Sequence, residues 1–420
     1  MAVQRKVAIT ALYMIFFIDL ISLVIVIIIL GPLMLQQDSP LALPGFSTQQ
    51  RLVLAGAMYA AYPATQLLSN PILGGLSDWF GERRILLYST FGSGLSLILS
   101  AIAVSIGSIS LFFISRLFAG LTSGNITVTQ SGVASLTTYK VRGRHMAIFA
   151  TLRGLGWVLG PLFVIFLSDK QMVGLFDLST PFWVLAALFF IAFVLVFASV
   201  EDTHTQPLEG KRHSHIRHAV AQLVGVFHLP SVVTPFLVGS FNRAGWTFWV
   251  LFLSPYLVAE FNLDQHHVSE VYLYSSIWYL ASGLFCQGWL YRKVHTNLLL
   301  VIFLFVQAVA IGALVPFSNP AILWWVIPIV AASQTIVMTG FFMLYSGLAG
   351  PKNQGLIFGA WNASLAASGA SVPIIEGWVA GYWLKTPFII ASVILFGTAL
   401  YFLIWYICHH KGFLEARQKE

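Results

Sequence analysis

Long apolar stretches follow one another along almost the whole sequence, and they limit the folds that this chain can adopt. The first stretch, residues 7–35, contains a single charged residue, Asp19, and is longer than the apolar core of a signal peptide. Only 9% of the 420 residues are charged, whereas about 25% are charged in a typical soluble domain. We therefore predict an all-α integral membrane protein whose first apolar stretch is an uncleaved span.

A helix needs about 20 mostly apolar residues to cross a bilayer, and the sequence contains twelve stretches of this kind. They cover approximately residues 7–35, 52–73, 85–106, 109–136, 146–168, 181–199, 231–258, 270–290, 297–317, 321–347, 355–380 and 387–408. A polar segment in the middle of the chain separates the first six spans from the last six. We predict a six-helix bundle in residues 1–199, a linker with an amphipathic helix in residues 200–230, and a second six-helix bundle in residues 231–420.

The basic residues indicate the orientation of these spans. Sixteen of the 22 Lys and Arg residues fall in segments on the side of the N-terminus, and three fall in segments on the other side. Because cytoplasmic loops are enriched in Lys and Arg, we expect both termini in the cytosol. The net charge of +7 is explained by this topology, so we expect a lipid bilayer and no nucleic acid as a partner.

Two correspondences favour an internal repeat. In spans 1 and 7, Asp19 and Asn242 each lie 13 residues before a proline, Pro32 and Pro255 respectively. After spans 2 and 8, the segment "GGLSDWFGERR" (74–84) has a weaker counterpart in "GWLYRKVHTN" (288–297). A duplicated six-helix unit is a frequent architecture in transporters.

Three motifs resemble signatures of the major facilitator superfamily. The stretch "GGLSDWFGERRILL" resembles the charged loop between the second and third helices of that family, although Trp79 and Glu82 replace two basic residues. "RLFAGLTSG" (116–124) resembles its R-x-x-x-G motif, and "GWVLGP" (156–161) resembles the G-x-x-x-G-P motif of its drug–proton antiporters. The overall pattern resembles the tetracycline–proton antiporters, which implies twelve helices in two pseudo-symmetric bundles.

The resemblance also implies roles for individual residues. Arg116 would support proton transfer, and Gly156, Gly160 and Pro161 would form a helix-packing motif. The charged segment would act as a conformational latch, in which Asp78 pairs with the neighbouring half; its residues are Gly74, Asp78, Gly81, Arg83 and Arg84. A charged turn that only enforces topology is the simpler interpretation of the same residues. The resemblance favours a bacterial inner membrane, a protein that works as a monomer, and a proton gradient with no cofactor.

Four ionisable residues fall well inside predicted spans, where charge is costly and usually marks a pathway. They are Asp19, Arg116, Arg153 and Arg243. We predict that Asp19, roughly 18 Å along span 1, loads and releases a proton. Its other interpretation is a permanent partner of an arginine. Arg153 and Arg243 could each bind an anionic substrate, because a guanidinium forks onto a carboxylate, or could pair with Asp19 or helix dipoles. We place Glu376 roughly 30 Å along span 11, at the outer interface.

Three arginines against one midplane acid favour an anionic solute, such as a carboxylate siderophore or an organic acid. We predict a mixed apolar and polar substrate cavity between the halves. It comprises Arg153, Arg243, Asn242, Trp246, Trp249, Asn125, Gln130, Tyr274, Trp278, Gln334, Trp361 and Asn362. The other function that we consider is proton-coupled export of lipophilic compounds, as in tetracycline antiporters. A more remote alternative is a membrane receptor that does not transport.

The sequence offers little evidence for other functions. No nucleophile stands beside a base and no pair of catalytic acids is evident, so we predict that the protein is not an enzyme. The histidines of "KRHSHIRH" (211–218) lack a metal-ligand spacing, so we predict no metal site there. The sequence favours a secondary active, proton-coupled transporter of a small organic molecule, and it leaves the direction of transport open.

Overall fold

The computed structural model describes residues 2–137, 139–169, 173–200 and 230–417, and the regular elements within these ranges are helices. The first seven are α1 (Ala2–Leu35), α2 (Thr48–Phe80), α3 (Glu82–Ser105), α4 (Ile109–Leu121), α5 (Asn125–Leu136), α6 (Tyr139–Leu167) and α7 (Thr180–Ser199). The next six are α8 (Pro230–Phe261), α9 (Gln265–Ala281), α10 (Gln287–Lys293), α11 (Thr296–Gly312), α12 (Leu323–Ala380) and α13 (Thr386–Arg417). A π-helical segment, Ser282–Cys286, joins α9 to α10, and a 3₁₀ turn, Pro320–Ile322, precedes α12.

Each of the twelve predicted spans falls on helix. Eight helices within the described ranges are long and apolar enough to cross a membrane, and α11 is a shorter apolar helix. Helices suit this environment because lipid supplies no hydrogen-bond partners, so the backbone must satisfy its own N–H and C=O groups.

Span 4 is not the continuous helix that we predicted for residues 109–136. It breaks at residues 122–124, where Thr122 and Ser123 bond back to the carbonyls of Phe118 and Gly120 and so compete with the helix. Side chains from α2 stabilise the break. Thr65 Oγ1 donates to the Leu117 carbonyl at 2.9 Å, and Ser69 Oγ donates to the Gly120 carbonyl at 2.6 Å.

The π segment keeps a row of four hydrogen bonds between span 8 and α12 aligned. Four groups of span 8 bond to one face of α12: the Tyr279 carbonyl to Thr335, Ser282 to Ala332, Gln287 to Thr339 and Tyr291 to Ile336. In a regular α-helix, positions five residues apart, such as 282 and 287, point about 140° apart. The wider π turn, with its i→i+5 bonds, brings them to the same face.

Helix α12 is assigned as one helix of 58 residues, although we predicted two spans over residues 321–347 and 355–380. The rings of Tyr345 and Trp361 lie 5.3 Å apart, whereas 16 residues of straight helix extend about 24 Å. Phe341 also lies 5.9 Å from Trp361. The chain therefore reverses direction between residues 345 and 361, and the two predicted spans run side by side.

The described residues form two compact units. Unit 1 contains the described residues up to Val200 together with Ser254–Leu273, and unit 2 contains the described residues 230–253 and those from Tyr274 onward. Within unit 1, Ser254 Oγ donates to the Ile28 carbonyl at 2.8 Å, and Gln36 donates to the Leu263 carbonyl at 3.2 Å. These bonds explain why the end of α8 is part of unit 1, together with α1. The predicted amphipathic helix, including "KRHSHIRH", lies outside the described residues.

The predicted charged turn is reduced to a single residue. Helix α2 continues to Phe80 and α3 begins at Glu82, so the prediction that Gly74 forms part of the turn is wrong. Gly81 makes the turn with a φ of 87°, a conformation that glycine adopts without strain. Arg83 donates to the Phe197 carbonyl at 2.9 Å near the end of α7, where a cation offsets the negative end of the helix dipole. The side chain of Asp78 lies outside the part of the structure that is described.

Helices α1 and α6 pack closely because α6 carries glycines at their contact. A Cβ atom at Gly156 would lie 3.1 Å from Leu20 Cβ, and one at Gly160 would lie 2.5 Å from Val24 Cγ1. Val24 is β-branched, so it has few rotamers with which to make room.

We expect Gly160→Ala to lower the free energy of unfolding by about 1–3 kcal/mol, because the new methyl group forces α1 away from α6. Gly397→Ala is the matched control, since a Cβ there meets nothing within 4 Å. Unfolding in detergent micelles measures both variants. Equal free energies of unfolding for the two variants would show that α1 and α6 can move apart without loss of stability.

Candidate functional site

Asp19 lies at the centre of a buried polar network in unit 1. Its side chain is only 8% exposed, and Oδ1 accepts a hydrogen bond of 3.0 Å from Asn125 Nδ2. The same Asn125 amide donates to Ser93 Oγ at 3.0 Å, and its oxygen accepts from Ser89 Oγ at 2.7 Å. Asn125 is the first residue of α5, so the break in span 4 brings a helix N-terminus close to the carboxyl group. The N-terminus of a half-helix favours nearby negative charge.

Arg116 is buried in unit 1 but forms no ion pair with Asp19. Its Nη2 donates to Ser100 Oγ at 2.6 Å, and the guanidinium lies 5.4 Å from the centre of the Phe112 ring. Tyr62 lies near both groups, and its hydroxyl accepts a hydrogen bond of 3.0 Å from Gln66 Nε2. Among the described side chains, no basic residue pairs with Asp19, so its interpretation as a permanent partner of an arginine gains no support.

A second group in unit 1 joins α1 to the first half of α6. Tyr13 hydrogen-bonds His145 and lies edge-on to Phe149, whose ring also contacts Phe16 at 4.7 Å. The half-buried Arg153 lies over the Phe16 ring, with 5.7 Å between its guanidinium carbon and the ring centre. Arg153 is thus held by an aromatic face.

Unit 2 contains a chain of three buried amides. Asn242 Nδ2 donates to Gln307 Oε1 at 3.4 Å, and Gln307 Nε2 donates to Gln334 Oε1 at 3.0 Å. The chain links α8, α11 and α12. Gln307 was not among the predicted site residues; its isolated position in the apolar sequence of α11 was the available signal. A fully bonded amide chain of this kind fixes the relative positions of the helices.

Arg243 adjoins this chain and is enclosed by aromatic and sulfur groups. Its guanidinium carbon lies 4.7 Å from the centre of the Trp361 ring, and Nη2 is 3.3 Å from Met338 Sδ. Tyr345 interacts with it electrostatically and donates to the Pro235 carbonyl at 3.0 Å. A guanidinium stacked on an aromatic ring keeps its charge and its forked donors, so it can bind a carboxylate.

The remaining predicted cavity residues have different surroundings. Trp249 packs in the interior against Phe388, with ring centres 5.7 Å apart, and Trp246 and Gln130 are half-buried. Tyr274 donates to the Trp324 carbonyl and contacts Trp278, whose side chain is exposed, as is that of Asn362. A separate groove of about 780 Å³ on unit 2 is lined mainly by apolar residues of α11 and the start of α12, and includes none of the predicted residues.

Histidines near the start of α9 lie beside acidic side chains. His266 lies 3.4 Å from Glu270, and His267 lies 2.7 Å from Asp264. Burial raises the pKa of Asp264, but hydrogen bonds from the backbone and ring of His267 outweigh it and hold that pKa below its usual range. No group of three or more His, Cys, Asp and Glu side chains among the described residues could hold a metal ion.

We expect Asn125→Ala to lower the free energy of unfolding by about 1–3 kcal/mol, because it leaves Asp19, Ser89 and Ser93 without their shared partner. Asn362→Ala removes an exposed amide and should change stability by less than about 0.5 kcal/mol. Thermal unfolding of both variants in the same detergent gives the comparison. An Asn125→Ala protein as stable as Asn362→Ala would mean that water replaces the lost bonds.

Comparison with known proteins gives the same architecture. The sequence profile of the Major Facilitator Superfamily matches residues 12–373. The class H tetracycline resistance protein of Pasteurella multocida is 27% identical over 201 residues, which cover 47% of this chain and 48% of that protein. The chain therefore spans about half the length of the curated relatives that it matches.

Two solved structures share the fold at low sequence identity. The human organic anion transporter MFSD10 (TETRAN) superposes with a TM-score of 0.69 at 18% identity, covering 95% of this chain and 99% of that one. A D-xylose-proton symporter superposes with a TM-score of 0.73 at 13% identity, covering 95% and 96%. The predicted all-α membrane fold is confirmed, and the chain belongs to the major facilitator superfamily.

Proposed function

We propose that this protein is a proton-coupled secondary transporter of a small organic anion that works by alternating access. The observation that carries the proposal is Asp19, a carboxyl group buried at the break in span 4 and bonded to an amide. Ionisable residues inside membrane spans are rare because they are costly, and they usually belong to ion or proton pathways.

The surroundings of Asp19 suit a group that gains and loses a proton. The Asn125 amide can donate to the carboxyl oxygen whether the carboxyl group is charged or neutral, and no described basic residue fixes the charge. The N-terminus of α5 stabilises the charged form, while burial favours the neutral one. Arg116 and Tyr62 supply further charge and hydrogen-bonding capacity nearby, which supports their role in proton transfer.

Arg243 supports an anionic solute. It is a buried cation on the face of Trp361, and a guanidinium has the geometry to fork onto a carboxylate. MFSD10, whose solved structure shares this fold, is an organic anion transporter, which agrees with an anionic solute here. Siderophores and organic acids that bear carboxylates are the solutes that we propose. The competing function is export of lipophilic compounds, which the tetracycline resistance relatives favour.

Other features complete the proposal. The strong bias of Lys and Arg to one side supports cytosolic termini, and the bacterial relatives support an inner membrane. We propose that a single chain is functional and that Asp78 latches the cytosolic side, while Arg83 holds the end of α7.

We expect Asp19→Asn to abolish solute accumulation driven by an imposed pH gradient in proteoliposomes, with solute binding retained, because the asparagine cannot exchange a proton. The control is Asp38→Asn, which removes an exposed acid outside the spans. Retained pH-driven accumulation in Asp19→Asn would falsify the proton role. Absence of flux for any solute in the unmodified protein, together with stable capture of a partner, would favour the receptor alternative.

We expect Arg243→Gln to remove the thermal stabilisation that carboxylate siderophores or organic acids give the purified protein, because a neutral amide cannot compensate their charge. Arg292→Gln, which changes an exposed arginine after span 8, is the control. The screen also includes lipophilic cations. Stabilisation by those cations alone, unchanged in Arg243→Gln, would contradict an anionic solute and support drug export.

A further inference from the structure

Glu376 is a buried acid that the proposed function does not use. It lies one turn before the end of α12, and its side chain is 2% exposed, so the carboxyl group is enclosed by protein. Val372 and Ala380, one turn away on either side along the same face, are also buried, whereas Ile375 and Trp378 are exposed. The carboxyl group therefore points into the packed side of unit 2.

No described group compensates a negative charge at this position. The atom Oε1 is buried and has no hydrogen-bond partner among the described residues. By contrast, Asp264, in the loop before α9, and Glu270, in the first turns of α9, each lie beside a histidine.

The charged and titratable groups on the neighbouring elements have other positions or partners. Helix α11 has no ionisable side chain. In α13, Tyr401 lies at the midpoint of the helix, and Tyr406 and Cys408 lie more than one turn beyond it, towards the far end. Lys385, just before α13, donates from Nζ to the carbonyls of Val315 and Phe317 and to Ser318 Oγ. Arg243 lies over Trp361, which is 15 residues, or about 22 Å of helix, from Glu376.

An ionised carboxylate in this setting is unfavourable, because burial removes its hydration and no described cation or donor replaces it. A carboxylic acid avoids most of that cost, since it carries no net charge. We propose that Glu376 is a proton-binding site of unit 2, occupied by a proton in this conformation and separate from Asp19.

This proposal deepens the proposed function by adding a second carboxyl group that can exchange a proton with water when the helices around it move. Binding is the simple equilibrium between a carboxylate plus a proton and the carboxylic acid, and needs no other reactant. Only the link to transport rests on the proposed function; the protonation of Glu376 does not.

Infrared spectroscopy of the full-length protein in liposomes tests the proposal, because a protonated carboxyl group has a C=O band that carboxylates lack. At pH 7.5, exposed glutamates are ionised and give no such band. We expect a band that shifts when the protein contains ¹³C-labelled glutamate and that is lost in Glu376→Gln. Glu270→Gln, which removes an exposed acid, should leave the band intact.

The unmodified labelled protein suffices if Glu376→Gln fails to fold. Absence of a glutamate-sensitive band at pH 7.5 in that protein overturns the proposal, as does a band that survives in a folded Glu376→Gln. Asp19→Asn should not remove the glutamate-sensitive band. If the band is present and Asp19→Asn transports normally, the proposed proton role of Asp19 is refuted and the Glu376 site stands. If the band is absent and Asp19→Asn loses pH-driven accumulation, the Glu376 site is refuted and the proton role of Asp19 stands.

Discussion

Polar atoms inside a lipid-embedded bundle have no water to bind, so they must find partners within the protein. Much of what is unusual in both units follows from this requirement. Where the backbone leaves the α-helix at residues 122–124, hydroxyl groups of α2 bind the carbonyls. Several buried polar side chains join chains of amides or hydroxyls that link neighbouring helices. Glu376 departs from the pattern, because its neighbours supply neither donor nor cation, and the proton is then the smallest partner that can neutralise it.

The helices themselves were largely predictable, because apolar length is a local property that lipid selects directly. The positions of the twelve spans, the glycine contacts of α6 and the acid in span 1 could all be read from short stretches of sequence. The break in span 4 was missed because its apolar length was given more weight than the weak helix formers of "LTSGN". The hydroxyl groups of Thr65 and Ser69, about 50 residues away, add hydrogen bonds to the interruption, and such distant partners cannot be inferred from one sequence.

The candidate site was likewise predictable in part, since its main residues were predicted but their partners were not. Asp19, Asn125, Arg243, Asn242, Gln334 and Trp361 were predicted from residue type and depth, and the structure places each in a buried polar cluster or beside one. Their partners, including Tyr62, Ser89, Gln307 and Tyr345, were not predicted, since serine, tyrosine and single amides are common in membrane helices. The matched positions 19 and 242 carry a carboxyl group in one unit and an amide in the other. Both bind an amide from another helix, as the predicted correspondence of spans 1 and 7 leads us to expect.

The π segment of span 8 has a consequence for how this helix can change over evolutionary time. A π turn holds one more residue than the α turn that it replaces, so a span with one residue fewer could form a regular helix over the same stretch. The bulge takes up the extra residue locally, and Ser282 and Gln287 both face α12. Loss of a single residue within this span would therefore remove the bulge without rotating the rest of the helix.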